Sequence, residues 1–384
     1  MGSLTSGTDA GFSKGLDGVI ACKTRIGYIV GDEGKLLYRG IPIEVLAEKS
    51  TYEETAYLLI FGKLPTSSEL EAFKKRMAAN RAVPGAVIDI LKKLPRETHP
   101  MVALRFGVSA LGCMDAKADD TSLENATDLG CKIISQIPTI ASIVARLRKN
   151  LEPVDPDPNL GHAANFLYMM LGKEPDKKMA KIMDIALILH ADHGMNASTF
   201  TAMVIASTLS DMYSAISGGI GALKGPLHGG ANERALNMLI EIGTPERAGD
   251  YVRDAIANKR KIMGFGHRVY KAYDPRARIL AQISDDITRG AESHRIYDVA
   301  KVVEKEVIDA YGSKGIFPNV DFYSGSVYHA MGIDPKMFTV IFAVSRVAGW
   351  VARILEYLPE NRIFRPRAMY DGPELVEYTP LDSR

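Results

Sequence analysis

The chain is short of cysteine, net charge and long apolar runs, and each shortage removes a class of function. Its three cysteines, Cys22, Cys113 and Cys131, form an odd set with no metal or redox spacing. That argues against a disulfide framework and for reduced thiols in a cytoplasmic protein. Lys and Arg number 47 against 46 Asp and Glu, a net charge of +1, so no bulk field attracts nucleic acid or an anionic membrane. An anionic ligand must then be held by local arginines. No uninterrupted apolar stretch approaches the ~18 residues of a membrane span, and the start lacks the basic-then-apolar build of a signal peptide. Met1-Gly2-Ser3-Leu4-Thr5-Ser6 fits the permissive myristoylation pattern, which small polar residues at a ragged terminus explain more simply. Neither a Walker motif nor a full dinucleotide fingerprint occurs, which excludes a nucleotide hydrolase and a dehydrogenase.

What is present is mostly helical pattern. With 384 residues the chain can bury a large core, as two domains or one large domain with an insertion. Ile26, Tyr28 and Val30 alternate, Gly31-Asp32-Glu33-Gly34 turns the chain, and Leu36 and Tyr38 resume the alternation, so a short N-terminal β-hairpin is expected. Thr51 with Glu54, Thr66 with Glu69 and Thr121 with Glu124 have capping-box spacing, and helices dominate from residue 50 onward. The run Pro153-Val154-Asp155-Pro156-Asp157-Pro158-Asn159 reads as a loop, since each proline lacks a donor and restrains its predecessor. Residues 179–193 read as a helix that sets His190 and His193 on one face. Such a pair invites a metal site, but zinc-protease helices space two histidines four apart with a glutamate between, and here Ala191 and Asp192 intervene. Asn196-Ala197-Ser198-Thr199 caps a further helix running toward Ser217, and Gly218, Gly219 and Gly221 serve close packing or a hinge. The last long helix opens at Asp334-Pro335 and buries one stripe through Met337, Ile341, Val344, Ala348, Val351, Leu355 and Leu358. Arg346 lies off that stripe and faces a cleft. Trp350, the only tryptophan, packs at a domain or subunit interface.

The stretch Gly225-Pro226-Leu227-His228-Gly229-Gly230 sets a histidine between a proline and two glycines, so the chain turns sharply and presents the ring. A helix over residues 233–242 brings free N–H groups and a positive dipole end near His228. That environment disfavours imidazolium, and a neutral imidazole donates one hydrogen bond to a carbonyl becoming an enolate. Downstream lie Lys261-Ile262-Met263-Gly264-Phe265-Gly266-His267-Arg268-Val269-Tyr270, then Asp274-Pro275-Arg276, then Phe317-Pro318-Asn319-Val320-Asp321-Phe322-Tyr323. Asp321, flanked by Pro318-Asn319 and an aromatic pair, is expected to be partly desolvated and more basic than a surface carboxylate.

These segments, in this order and with His193, Arg346 and Arg365, resemble the citrate synthase family in its short bacterial and archaeal form. The relatedness spans nearly the whole chain, and 2-methylcitrate synthase is the close relative. The resemblance implies a mainly α fold, with a large helical dimerisation domain over residues 1–222 and 333–384 and a smaller helical domain inserted at 223–332. It implies condensation of acetyl-CoA with oxaloacetate, followed by hydrolysis of citryl-CoA. The catalytic residues would be His228, His267 and Asp321, with His193, Arg276, Arg346 and Arg365 on oxaloacetate. Arg365 would reach in from the neighbouring subunit of a homodimer. Arg260, Lys261, Ile262, Met263 and Gly264 would form the coenzyme A loop, with CoA acting as substrate and product and no metal or permanently bound cofactor. Many relatives carry a glutamate directly after the second histidine, where this chain has Gly194-Met195.

The chemistry asks for a base at a weakly acidic C–H, a donor for the enolate oxygen and polarisation of the ketone. Asp321, His228 and His267 supply one each. Arginine forks suit the two carboxylates of oxaloacetate. Closure of the smaller domain would keep water from the enolate.

Overall fold

The computed structural model describes residues 12–373 and 375–384. The myristoylation pattern at residues 1–6 lies outside them. Contacts divide the chain into a large unit, Thr24–Arg362, and a small one made of the segments up to Lys23 and from Ile363 to Arg384. In the small unit the described residues carry only single 3-10 turns at Lys14–Leu16 and Leu381–Ser383.

The large unit opens on a three-stranded antiparallel sheet, β1 (Gly27–Val30), β2 (Lys35–Tyr38) and β3 (Ile41–Pro42), one short strand more than the expected hairpin. Leu36 and Tyr38 face the core while Tyr28 stays 64% exposed. Helix α1 (Ile43–Lys49) follows at once, earlier than the pattern predicts. Thr51 and Thr66 cap α2 (Tyr52–Phe61) and α3 (Ser67–Ala79), and only Thr66 completes the reciprocal box. After α4 (Gly85–Lys92) and α5 (Pro100–Cys113), α6 (Leu123–Arg148) starts one residue later than expected, because Ser122 and not Thr121 accepts the capping N–H, from Asn125. The proline-rich stretch is a loop, leading to α7 (His162–Leu171) and α8 (Lys177–His190).

Three expectations fail here for packing reasons. The helix expected to run on toward Ser217 is two, α9 (Ala197–Ser207) and α10 (Met212–Leu223), parted where Leu209 takes φ 63° and Asp211 caps anew. The glycines of α10 lie inside it and let neighbours in: a Cβ at Gly218 would sit 2.2 Å from Ile205 and one at Gly219 3.2 Å from Trp350. Close packing is thus one use of them. The last long helix begins as a 3-10 turn at Pro335–Met337 and continues as α16 (Phe338–Tyr357). Its residues from Phe338 to Leu355 are all buried, so it is enclosed on every face and not along one stripe. Pro335–Glu360 is long and apolar enough to cross a membrane, yet its apolar window is wholly buried among α2, α6, α8, α9 and α10. Trp350 is accordingly a core residue against α10.

Helices α11 (Ala231–Ile242), α12 (Pro245–Ala257), α13 (Pro275–Thr288), α14 (His294–Tyr311) and α15 (Val320–Ala330) pack chiefly on one another. The loop that leads into α11 carries His228, and the loops between these helices carry His267 and the approach to Asp321.

Candidate active site

Helix α8 ends at His190, so His193 lies beyond it and the two histidines share no helix face. Asp192 turns the chain away. Its carboxylate takes a two-pronged bond from Arg353 (3.1 and 2.7 Å), and its backbone N–H and C=O are both held by the Tyr38 hydroxyl (3.1 and 2.8 Å). Gly194, at φ 61°, completes the turn. The glycine of α16 at Gly349 allows this approach, since a Cβ there would stand 2.3 Å from the Ala191 carbonyl. His190 points elsewhere, with Nδ1 2.8 Å from the Ala186 carbonyl. No group of three or more metal-ligating side chains occurs among the described residues.

His228 sits in the loop between α10 and α11, where Gly229 passes so near the Leu223 carbonyl that a Cβ would be 2.3 Å from it. Arg234 donates to the carbonyls of Pro226 and Gly230 and clips the loop shut. The helix end that meets the ring is not that of α11, as expected, but that of α9. Ser198, in the first turn of α9, donates its backbone N–H to Nε2 of His228 (3.3 Å), with its hydroxyl 2.8 Å from the same nitrogen. A backbone amide can only donate, so Nε2 offers its lone pair and Nδ1 carries the proton. The Ser198 hydroxyl donates to Asn196 and accepts from Trp350, which joins the ring to the core. Burial first, and then the charge of Arg346, pushes His228 down to about 4, so the ring is neutral at pH 7.

His267 has the opposite tautomer. Its Nδ1 accepts the backbone N–H groups of Val269 (3.0 Å) and Tyr270 (3.1 Å), which leaves the proton on Nε2. Burial and the neighbouring Arg276 push it to about 4. The His193 ring meets it edge-on, centroids 5.0 Å apart, and is itself held well below the usual histidine range by burial and by Arg276.

Asp321 lies in the first turn of α15, whose cap is Asn319. That asparagine accepts the Asp321 N–H (3.0 Å), donates its own N–H to the Gly264 carbonyl (2.9 Å) and its side-chain amide to the Gly266 carbonyl (2.9 Å). One residue thus ties the Asp321 helix to the loop bearing His267. Oδ1 of Asp321 is shut off from solvent and has no hydrogen-bond partner, and desolvation raises the carboxyl from 3.8 to about 6 against the pull of Arg276 and Arg346.

The two guanidiniums differ. Arg276 is forked to Asp274 (3.0 and 2.7 Å). Arg346, 1% exposed, donates to the His190 carbonyl and lies 4.7 Å over the Phe342 ring, and among the described residues it has no carboxylate partner. Burial lowers it only to about 10, so it stays charged, and its field reaches His228, His193 and Asp321. Arg365 belongs to the small unit and is exposed. In the expected coenzyme loop, Arg260 is engaged by Asp254 and the Tyr251 ring, Lys261 is exposed, Ile262 and Gly264 are buried, and Met263 is half-buried. Gly264, at φ 81°, lies against Phe322, where a Cβ would be 2.8 Å away. Further along the chain, a groove of about 550 Å³ is lined by Lys271, Arg278 and Lys314 and by no carboxylate.

Sequence reasoning missed Ser198, Tyr270, Asn319 and the Asp192–Arg353 pair. Asn319 and Ser198 had a signal, since each stands where a helix begins; the side chains of Tyr270 and Arg353 had none, because their partners His193 and Asp192 are distant in sequence.

The family pattern described as citrate synthase, C-terminal domain, matches residues 15–367. A citrate synthase of Deinococcus radiodurans is 47% identical over 97% of this chain and 99% of its own. A 2-methylcitrate synthase of Mycobacterium tuberculosis is 42% identical over 94% of this chain and 91% of its own. The solved structure of the citrate synthase of Thermoplasma acidophilum, a ternary complex with carboxymethyl coenzyme A and oxaloacetate, superposes with a TM-score of 0.93 at 39% identity, over 97% of this chain and 99% of that one. Sequence pattern, near full-length relatives and fold agree, and the chain belongs to the citrate synthase family.

Proposed function

We propose that His228, His267 and Asp321 divide the work of the family's reaction, in which acetyl-CoA condenses with oxaloacetate and the citryl-CoA formed is hydrolysed to citrate and CoA. The chain is an enzyme of that reaction; the residue roles are our reading. Asp321 takes a proton from the acetyl methyl group, and the Nδ1–H of His228 bonds the thioester oxygen as it becomes an enolate oxygen. The enolate carbon attacks the ketone carbon of oxaloacetate. His267, donating from Nε2, polarises that ketone and then protonates the alkoxide, and the proton that Asp321 took from the methyl group replaces the one His267 gives up. Water cleaves the thioester and releases CoA. His193, Arg276, Arg346 and, from the neighbouring subunit, Arg365 hold oxaloacetate, while residues 260–264 and the Lys271–Arg278–Lys314 groove serve the coenzyme and its phosphates.

Arg346 carries this reading. A buried guanidinium without a carboxylate is costly, and a substrate carboxylate relieves that cost in a way that water-exposed arginines do not require. The rest follows the family: a cytoplasmic homodimer of the tricarboxylic acid cycle, without metal or prosthetic group and without nucleic-acid or membrane partners. In it a smaller domain at 223–332 closes over oxaloacetate. The test is thiol release at steady state with oxaloacetate and either acetyl-CoA or propionyl-CoA. Acetyl-CoA is expected to be preferred by a factor of about 10 to 200, the value of one methylene in a pocket. Faster turnover of propionyl-CoA would mark a 2-methylcitrate synthase, and no thiol release with either would overturn the reading.

A further inference from the structure

Tyr270 touches both histidines on the oxaloacetate side, by two different groups. Its backbone N–H donates to Nδ1 of His267 at 3.1 Å, and its hydroxyl lies 3.3 Å from Nε2 of His193. Its ring stands 4.9 Å from the His267 ring and 5.5 Å from that of His193. The side chain is buried, and among the described residues its hydroxyl has no other hydrogen-bond partner. The hydrogen bond at Nε2 is the one the His193 ring makes among them. The backbone is fixed as well: Lys271 donates its N–H to the Gly31 carbonyl in the turn of the N-terminal sheet, and Gly31 lies so near the Val269 carbonyl that a Cβ would be 2.3 Å from it. The turn of the sheet is thus a support for the loop that holds Tyr270.

We propose that Tyr270 is a positioning residue that sets the protons of both rings, its hydroxyl donating to Nε2 of His193 so that Nδ1–H is left to donate to bound oxaloacetate. A buried phenol must place its proton, and Nε2 is the one acceptor in reach. With Nε2 so occupied, the neutral ring carries its own proton on Nδ1. The same residue's amide forces the reverse arrangement on His267, so the two rings present N–H donors from different ring positions. The substrate named here rests on the reading of the reaction given above.

The test is Tyr270→Phe, which keeps the ring and the amide and removes the hydroxyl. In protein with 15N-labelled histidine, imidazole resonances of the wild type should report His193 protonated at Nδ1, and those of the variant a mixture of tautomers. In steady state the variant should show a KM for oxaloacetate raised about tenfold, as for one lost hydrogen bond, with kcat and the KM for acetyl-CoA changed less than about threefold. A wild-type His193 protonated at Nε2 would overturn the proposal, and so would an oxaloacetate KM that Tyr270→Phe leaves unchanged. A wild type that releases no thiol from oxaloacetate and acetyl-CoA, with the tautomers as expected, would overturn the reaction and leave the Tyr270–His193 bond standing.

Discussion

Asp321 is held in its place at some expense to stability. Burial raises its carboxyl from 3.8 to about 6, so the folded state prefers the protonated form more than the unfolded chain does. Its contribution to stability is therefore greatest below about pH 4 and is lost as pH rises through about 6. Asp321→Asn, a mimic of the protonated form, should be more stable than wild type at pH 7 by on the order of 2 kcal/mol, with the gap closing toward pH 4; paired thermal melts at the two pH values check this. The same variant should lose methyl proton exchange on acetyl-CoA by at least about a hundredfold while still binding the coenzyme, and unchanged exchange would remove Asp321 as the base. His228 and His267, both near 4, stay neutral where Asp321 titrates. The acid limb of kcat/KM should then fall about tenfold per pH unit below about 6, and a limb beginning near 4 would speak for the imidazoles instead.

At the scale of elements, the site is a meeting of helix ends around one enclosed helix. The first turn of α9 meets His228 through Ser198, and Ser198 is held in turn by Trp350 of α16. Ser198→Ala keeps the backbone donor but strands the buried indole N–H, so a loss of about 1–3 kcal/mol in denaturant melts is expected. The end of α8 is governed by a second contact of α16. Arg353 grips Asp192 beside His193, and removing one partner of a buried pair leaves the other charge uncompensated. Arg353→Met should cost about 3–5 kcal/mol and raise the oxaloacetate KM, because the backbone of His193 loses its anchor. Stability and KM both unchanged would show that the pair does not hold the turn.

At the scale of the whole molecule, the proposed homodimer makes a quantitative statement. If Arg365 serves the neighbour's site, a chain with Arg365→Ala and a chain with Asp321→Asn each fail alone. Unfolded together in equal amounts and refolded, they should form mixed dimers with one intact site, restoring about a quarter of wild-type activity. No recovery would place Arg365 outside the neighbour's site. Closure predicts in addition that oxaloacetate alone slows proteolysis within residues 223–332, and equal cleavage with and without it would count against closure.

Much of this molecule was legible in its sequence wherever the determinant is local. Caps at Thr51, Thr66 and Asn196, the prolines of 153–159 and the Gly-flanked His228 act through neighbours a few residues away, so pattern and backbone chemistry suffice to read them. What the pattern misplaced depends on contacts between distant residues. The apolar stripe of the last helix was visible, but its enclosure on every face depends on five other helices; the end of α8 before His193 depends on the bond of Asp192 to Arg353, 161 residues apart. The protonation of the imidazoles is of the same kind. A ring nitrogen takes the proton its hydrogen-bond partner leaves it, and for His228 that partner, Ser198, comes from another helix thirty residues away. Local chemistry chose which residues could serve; only packing decided where their protons and charges would stand, because desolvation and hydrogen-bond direction arise between segments that the linear order keeps apart.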